Sequence, residues 1–582
     1  MSLSRHVNPE DIIEQLEQTH VSEALGLSSY EDLGSTHLTP YSSRYASQVR
    51  IPKYKIPEDG TPADTVHAML QDELDLDGRP GLNLATFVTT KMDDLGTSLL
   101  LENVAKNLAD NDEYPAMINI SERCVSIIAH LWAVQPGEKA IGSPTVGSSE
   151  AIHLGGLAMK RRWQERRRAE GKDTSRPNII MGANAQVALE KFARYFEVEA
   201  RILPVSKKSS YRLDPDLVRD NIDENTIGVF VILGSTYTGH YEPVEEISKV
   251  LDEFEEKTGV DIPIHVDAAS GGFIAPFSHA GVGGPKWNFE LPRVKSINAS
   301  GHKYGLVYAG LGWIIWRDES FLPKHLIFEL HYLGGTEQSY TLNFSRPGGH
   351  VVAQYYNLIH LGAKGYREIM ENCLSNARVL SRAIEATGFY TCLSDIHRPA
   401  PAKSAAGTVT EKVKEAVTSA ASSAVGGGGG APHVGRDTSD NYMAGLPVVA
   451  FRFSDEFKKE YPLLKQETVS LMLRARQWII PNYALPPVED ATEILRVVIR
   501  ENMSFDLLDR LVSDIVEVTE TLMGDDSIDL SVLQKQKRTR PDERKKPRAL
   551  GQKRGAEKKK GVPTHVAEGK KRMADGIHRS VC

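Results

Sequence analysis

Cysteine is scarce: the 582 residues hold four, Cys124, Cys373, Cys392 and Cys582, with no C-x-x-C pair. That argues against a disulfide framework and a cysteine-built zinc site, and points to reduced thiols in an intracellular protein. Long apolar runs are also lacking. The longest, Leu306 to Trp316, falls far short of the ~20 residues that a membrane-spanning helix requires. The opening residues, Met1-Ser2-Leu3-Ser4-Arg5-His6, lead into charges rather than an apolar signal region, so a cytoplasmic location is expected. No internal repeat is visible. What is present is ordinary globular composition, with 41% hydrophobic and 25% charged residues, in a chain long enough for two or more domains.

The net charge of −8 is unevenly divided. Residues 535–582 carry 17 Lys and Arg against 5 Asp and Glu, a net of +12, which leaves −20 on the remainder. A fold that tracks phosphates should be basic where it is folded, so neither nucleic acid nor membrane is an expected partner.

Residues 1–80 read as a helical arm. Asn8-Pro9-Glu10 and Thr61-Pro62-Ala63-Asp64 each offer a cap with Pro at the first helical position. Apolar positions Ile12, Ile13 and Leu16, then Val66, Met69 and Leu70, follow them. Residues 81–350 read as a large α/β domain. Ile227 to Leu233 is a continuous apolar run, as expected of a strand buried on both faces. Glu245 to Thr258 has helical spacing and stops at Gly259, and Ile262 to Ala268 is a second apolar strand. This βαβ unit predicts a largely parallel sheet. Leu311 to Trp316 reads as a further strand. Helices over Tyr355 to Glu385 lead into a smaller domain, 351–523, which contains an insertion at 398–441. Pro399, Pro401 and the Gly426–Gly430 run give that insertion too little apolar surface to order itself. Chain resumes at Leu446 to Phe451, the last helix spans Phe505 to Met523, and residues 524–582 form a basic, disordered tail on this reading.

Three stretches carry chemistry. Ser296 to Lys303 places a lysine after a small-residue run that ends a strand. Such an amine can face a cleft and form a Schiff base, whereas an isolated lysine would be read as surface. Asp267 ends the strand Ile264-His265-Val266-Asp267, where α/β sheets bind ligands. The small residues from Ala268 to Gly272 let a planar ring approach. An acid there can partner a pyridinium nitrogen, or simply cap a turn. His265 and Asp267 share a strand face, but no third ligand joins them, so no metal is expected. Thr145 to Glu150 opens a helix whose first amides, with Gly147, Ser148 and Ser149, suit a phosphate or serve as a plain cap. Gly281-Val282-Gly283-Gly284 runs into Pro285 and lacks the following helix a phosphate loop needs.

Together, Ser148-Ser149, Thr236-Tyr237-Thr238-Gly239, His265-Val266-Asp267-Ala268-Ala269 and Ser300-Gly301-His302-Lys303 resemble the group II pyridoxal-phosphate decarboxylases. The resemblance extends over residues 45–395 and 446–523. Asn83-Leu84-Ala85-Thr86-Phe87, Asp112-Glu113-Tyr114-Pro115 and Asn343-Phe344-Ser345-Arg346-Pro347 are similar to the glutamate-specific members. The resemblance implies an aspartate-aminotransferase-like α/β fold (fold type I) and decarboxylation of L-glutamate to 4-aminobutyrate and CO₂. It puts pyridoxal 5'-phosphate on Lys303, Asp267 at the ring nitrogen and Gln186 over the ring face. Ser148, Ser149, Ser300 and His302 would hold the phosphate, with Thr236 near the ring substituents. Arg496 would grip the α-carboxylate. Thr86, Asn107 and Asp110 would receive the distal carboxylate across a subunit interface, which makes a dimer the minimum unit. Asp110 suits that role only in its protonated form, because carboxylates repel; read alone, it is an exposed acid. Two alternatives stay open: a pyridoxal-phosphate decarboxylase or lyase acting on another amino acid, and a cofactor-free scaffold, against which the Lys303–Asp267 pair argues.

Plant members carry a calmodulin-binding C-terminal extension, and this basic tail is similarly placed. Calmodulin targets present apolar anchors on one helix face. Here no Trp or Phe follows Phe505, and residues 535–582 hold only scattered Leu550, Val562, Val566, Met573, Ile577 and Val581. Weak, salt-sensitive contacts with the acidic body are therefore expected, and calmodulin is not favoured. Truncation after Asp526 is expected to leave basal activity intact. A several-fold, calcium-dependent activation by calmodulin, lost on truncation, would contradict this.

Overall fold

The computed structural model describes residues 54–56, 58–279, 284–332, 335–400 and 438–524. The Asn8-Pro9 helix start, Gly281–Gly283, residues 401–437 and the basic tail lie outside the described residues. The chain divides into two compact units after Arg79. In the first, helix α1 (Ala63–Leu74) begins one residue later than expected. Pro62 has an extended ψ of 136° and so flanks the helix as its N-cap instead of opening it; no side chain caps this end.

The second unit is built on a seven-stranded sheet: β1 (Ile141–Thr145), β2 (Asn178–Gly182), β3 (Glu199–Leu203), β4 (Thr226–Ile232), β5 (Ile264–Asp267), β6 (Val294–Ala299) and β7 (Gly312–Trp316). Their order is β1-β7-β6-β5-β4-β2-β3. Neighbours from β3 across to β6 are parallel, while β7 runs antiparallel to both β6 and β1. Helices α2 (Pro115–Leu131), α3 (Ser148–Ala169), α4 (Val187–Tyr195) and α5 (Val244–Thr258) surround it. Helix α5 ends at Gly259, whose φ of 72° is a left-handed conformation glycine adopts at little cost.

Burial on both faces explains the unbroken apolar run of β4. Val229 and Val231 pack with Ile247, Val250 and Leu251 of α5, while Phe230 and Ile232 pack with Ile152 of α3 and Phe192 of α4. Alternate residues thus enter separate cores, the mark of a strand sandwiched between helical layers.

Strands β8 (Phe328–Tyr332) and β9 (Gly335–Ser339) form an antiparallel pair. Helix α6 (Gly349–Ala386) covers the span where helices were expected, starts six residues earlier, and is broken at Gly362, where φ is 59° and ψ is −176°. Beyond it, β10 (Tyr390–Cys392), β11 (Val448–Phe453), β12 (Asn482–Ala484) and β13 (Glu493–Val498) form an antiparallel sheet ordered β10-β11-β13-β12. Helix α7 (Phe505–Gly524) packs beside it, with a 2.6 Å hydrogen bond between the Tyr390 and Thr519 hydroxyls. Among the described residues, no helix is long and apolar enough to cross a membrane.

The insertion expected at 398–441 is built into the fold at both edges. Pro399 pairs with Tyr442, and the Ala400 N–H donates to the Asn441 carbonyl at 3.0 Å. Ser439 is fully buried; its hydroxyl accepts from Arg378 and donates to Glu371, each at 2.6 Å. These buried bonds override the polar composition of the edges. Replacing residues 401–437 with a short linker is therefore expected to leave the melting temperature nearly unchanged, since the flanking ends already lie side by side. Deleting all of 398–441 removes the Ser439 contacts, costs ~1–3 kcal/mol and lowers it by several degrees in a thermal melt. Equal melting temperatures for the two deletions would contradict this.

Candidate active site

The carboxyl edges of β4, β5 and β6 meet the amino end of α3 around a cavity of ≈ 260 Å³. Its lining brings together Ser148, Ser149, Gln186, Thr236, Asp267, Ser300, His302 and Lys303, with Glu150, Asn184 and Ser270 added. Parallel strands all end on the same edge, which is why residues from distant parts of the chain converge here.

The Lys303 Nζ donates to Ser270 Oγ at 3.2 Å and lies 5.3 Å from the centre of the Phe87 ring. Burial pushes its pKa down to about 8; Asp267 opposes the shift and the Arg496 charge adds to it. A larger fraction of the amine is then neutral, the form that attacks a carbonyl. Thr89 fixes the backbone beneath it, donating its hydroxyl to the Lys303 carbonyl at 2.5 Å and its N–H to the His302 carbonyl at 2.9 Å.

His302 Nδ1 accepts from the Gly310 and Leu311 N–H groups at 3.3 and 3.2 Å, which leaves Nε2 as the N–H donor. Burial, then the nearby Lys303 and His350, push this imidazole down to about 4. It therefore acts as a neutral donor. A Cβ at Gly147 would lie 3.1 Å from His302 Cε1, so glycine lets the start of α3 approach the ring. The Ser148 and Ser300 hydroxyls share a 2.6 Å hydrogen bond that ties this helix start to the end of β6. Buried Glu150 accepts from the Val146 N–H at 2.9 Å and from the Leu342 and Asn343 N–H groups at 3.0 and 3.1 Å. Gln186 caps α4, its side-chain oxygen accepting from the Ala188 N–H at 2.8 Å.

Asp267 is 3% exposed and accepts on Oδ1 from Asn298 Nδ2 at 2.9 Å and from the Ala269 N–H at 3.1 Å. Both His265 ring nitrogens are engaged, by Ser296 and Asn298. Arg496 arrives from β13 of the other sheet, buried at 7% exposure. It donates to the Thr236 carbonyl at 2.8 Å and to the Ala85 carbonyl, and its guanidinium lies 5.1 Å from the centre of the Phe87 ring. Lys303 and Arg496 thus share one aromatic neighbour.

Thr86, Asn107 and Asp110 are not among the residues lining this cavity. The Thr86 hydroxyl accepts from the Val88 N–H at 3.1 Å. Asn107 donates to Asp110 at 3.0 Å and accepts from the Arg346 N–H at 3.0 Å, so those two form a separate pair near the 345–347 segment. Sequence reasoning missed Phe87, Thr89, Glu150, Asn184, Ser270 and Asn298. Ser270 and Asn298 sit inside motifs that were visible. Thr89 lies 214 residues from the lysine it anchors, and local pattern carries no signal for such a pairing.

The set suits pyridoxal phosphate: a low-pKa amine for the aldehyde, a buried acid for the ring nitrogen, and a helix start with hydroxyls and a neutral imidazole N–H for the phosphate. Fold and site together define a pyridoxal-phosphate enzyme of fold type I. Residues 74–400 match the pyridoxal-dependent decarboxylase conserved domain, and the chain belongs to that family. It is 47% identical over 494 residues to a Saccharomyces cerevisiae protein named glutamate decarboxylase, covering 82% of this chain and 80% of the relative. A Petunia hybrida glutamate decarboxylase is 44% identical, with 84% of this chain and 86% of the relative covered. The solved structure of a Lactobacillus brevis glutamate decarboxylase superimposes with a TM-score of 0.70 at 34% identity, covering 82% of this chain and 96% of that one.

The rate at which cofactor-free protein recombines with pyridoxal phosphate is expected to rise with pH and level off near the Lys303 value of about 8. Stopped-flow absorbance reads it. A rate still climbing steeply toward pH ~10.4, the range of an ordinary lysine, would contradict the depressed pKa.

Proposed function

We propose that this chain removes the α-carboxylate of L-glutamate as CO₂ and releases 4-aminobutyrate. The observation that carries the reading is the convergence of Lys303 and Arg496 on Phe87, which sets an amine and a carboxylate-gripping guanidinium at one place. Similarity to proteins named glutamate decarboxylase supports the choice of substrate.

Lys303 would hold pyridoxal phosphate through Nζ, which the cavity presents beside Ser270 and Phe87. Bound in the cavity, pyridoxal phosphate supplies an electron sink for the pair freed when the bond from Cα to the carboxylate breaks. Asp267 would hold the proton on the ring nitrogen, while Ser148, Ser149, Ser300 and His302 would grip the phosphate. Gln186 and Thr236, both in the cavity lining, would lie against the cofactor's ring face and its ring substituents. Arg496 orients the α-carboxylate through its planar fork, within a desolvated setting beside Phe87 and Tyr483. Cα takes up a proton in place of the carboxylate it loses, so each turnover consumes one H⁺. Thr86, Asn107 and Asp110 receive the distal carboxylate of a substrate held by a neighbouring subunit. The ready-made Asn107–Asp110 hydrogen bond, away from the chain's own cavity lining, favours that arrangement and hence a homo-oligomer. Helix α6 carries the chain from a cofactor domain, 81–350, to a smaller domain, 351–523. The reaction takes place in the cytoplasm.

Arg496→Lys is expected to lower kcat/KM by ~10- to 100-fold, the equivalent of ~1.5–3 kcal/mol for a charge-assisted grip that lysine cannot reproduce. Lys303→Ala is expected to abolish both turnover and the visible absorbance of bound cofactor. Wild-type kinetics in steady-state assays of either variant would overturn the assignment.

A further inference from the structure

Behind Asp267 lies a chain of buried polar groups that the reaction as described does not use. His265 is 0% exposed and its ring cannot turn. Phe230 meets it edge-on at 5.4 Å and 80°. On another side, a Cβ at Gly155 of α3 would lie 2.5 Å from its Cε1 and Nδ1. Ring Nδ1 lies 2.7 Å from Ser296 Oγ, and Nε2 lies 2.7 Å from Asn298 Oδ1. Asn298 Nδ2 in turn lies 2.9 Å from Asp267 Oδ1.

The direction of every bond follows from chemistry. An ionised carboxylate only accepts, so the Asn298 amide turns its NH₂ toward Asp267 and its carbonyl toward His265. A carbonyl also only accepts, so Nε2 carries the imidazole proton. Nδ1 is left as an acceptor, and the Ser296 hydroxyl donates to it. Burial holds His265 well below the usual histidine range, so the ring stays neutral and the chain transmits orientation without adding charge. Among the described residues, the Asn298 amide and the Ala269 N–H both donate to one oxygen, Oδ1. The other oxygen is the one left for a partner in the cavity.

We propose that His265 and Asn298 are positioning residues for the cofactor, locking the Asp267 carboxylate so that Oδ1 is saturated by protein donors and Oδ2 is offered to the ring nitrogen. The proposal rests on the assignment of Asp267 as the ring-nitrogen partner. Without the His265 donor, the Asn298 amide is free to flip and set its oxygen against the carboxylate, and the carboxylate then rotates away.

Two substitutions at His265 separate positioning from bulk. His265→Gln keeps an N–H close to the place of Nε2, whereas His265→Leu keeps none. In His265→Leu, kcat per bound cofactor is expected to fall about tenfold with KM within about twofold, and the Kd for pyridoxal phosphate to rise about tenfold. The cofactor's visible absorbance should change as well. His265→Gln is expected to recover most of each quantity. Asn298→Ala should behave like His265→Leu, and the double variant should be no worse than either single one, because both break the same chain. If His265→Leu yields no soluble protein, Asn298→Ala against wild type carries the comparison. Unchanged cofactor Kd, absorbance and kcat in the soluble variants would overturn the proposal, as would equal damage in Gln and Leu or additive losses in the double variant. Asp267→Asn serves as the control. If it too behaves as wild type, the assignment of Asp267 is at fault; if it alone is impaired, only the role of His265 and Asn298 falls.

Discussion

Burial around Lys303 disfavours its charge, the carboxylate of Asp267 pulls the other way, and a pKa of about 8 is the balance. That tension is the constraint on which the remaining architecture depends. The amine must stay dry, near an acid, and fixed in direction. Dryness comes from Phe87 and the close approach of the second sheet. Direction comes from Thr89, which clamps the backbone of residues 302 and 303. Proximity to Asp267 comes from β5 and β6 lying side by side, with Asp267 opposite Asn298 in register. Each condition is met by a different part of the chain, so the site exists only in the assembled fold.

The second sheet contributes more than Arg496. The loop after β4, which carries Thr236, is held to the segments on either side of the 401–437 stretch. The Leu446 N–H donates to the Gly239 carbonyl and the Ser394 hydroxyl donates to the Thr238 carbonyl, both at 2.8 Å. His240 and Asp395 meet at 3.0 Å. Gly239 makes the approach possible: its φ is 81°, and a Cβ there would sit 3.0 Å from Val448 Cβ. One side of the cavity is therefore positioned by the same edge of the fold into which the insertion is spliced.

Much of this was legible in the sequence where one local rule fixed the answer. The apolar run of β4, the helical spacing of α5 and its glycine stop, and the small-residue stretches around Asp267 and Lys303 identified their elements directly. All eight residues expected around the cofactor line one cavity. What escaped was decided by long-range packing. Strand direction leaves no trace in periodicity, so the antiparallel course of β7 was not readable. The polar composition around Ser439 hid a side chain that packing fully buries. Phe87 ends a visible motif and Thr89 lies two residues beyond it, yet their partner Lys303 is more than two hundred residues away. Asn298 was in plain view within Ser296 to Lys303, but its task depends on a neighbouring strand.

The most direct test of the central claim is product analysis by NMR in D₂O, with purified protein, pyridoxal phosphate and each acidic and aromatic amino acid in turn. The account predicts that L-glutamate is turned over in preference to the others, giving CO₂ and 4-aminobutyrate with a single deuterium on the carbon that bore the carboxylate. Preferential decarboxylation of a different amino acid, with L-glutamate left intact, would contradict it.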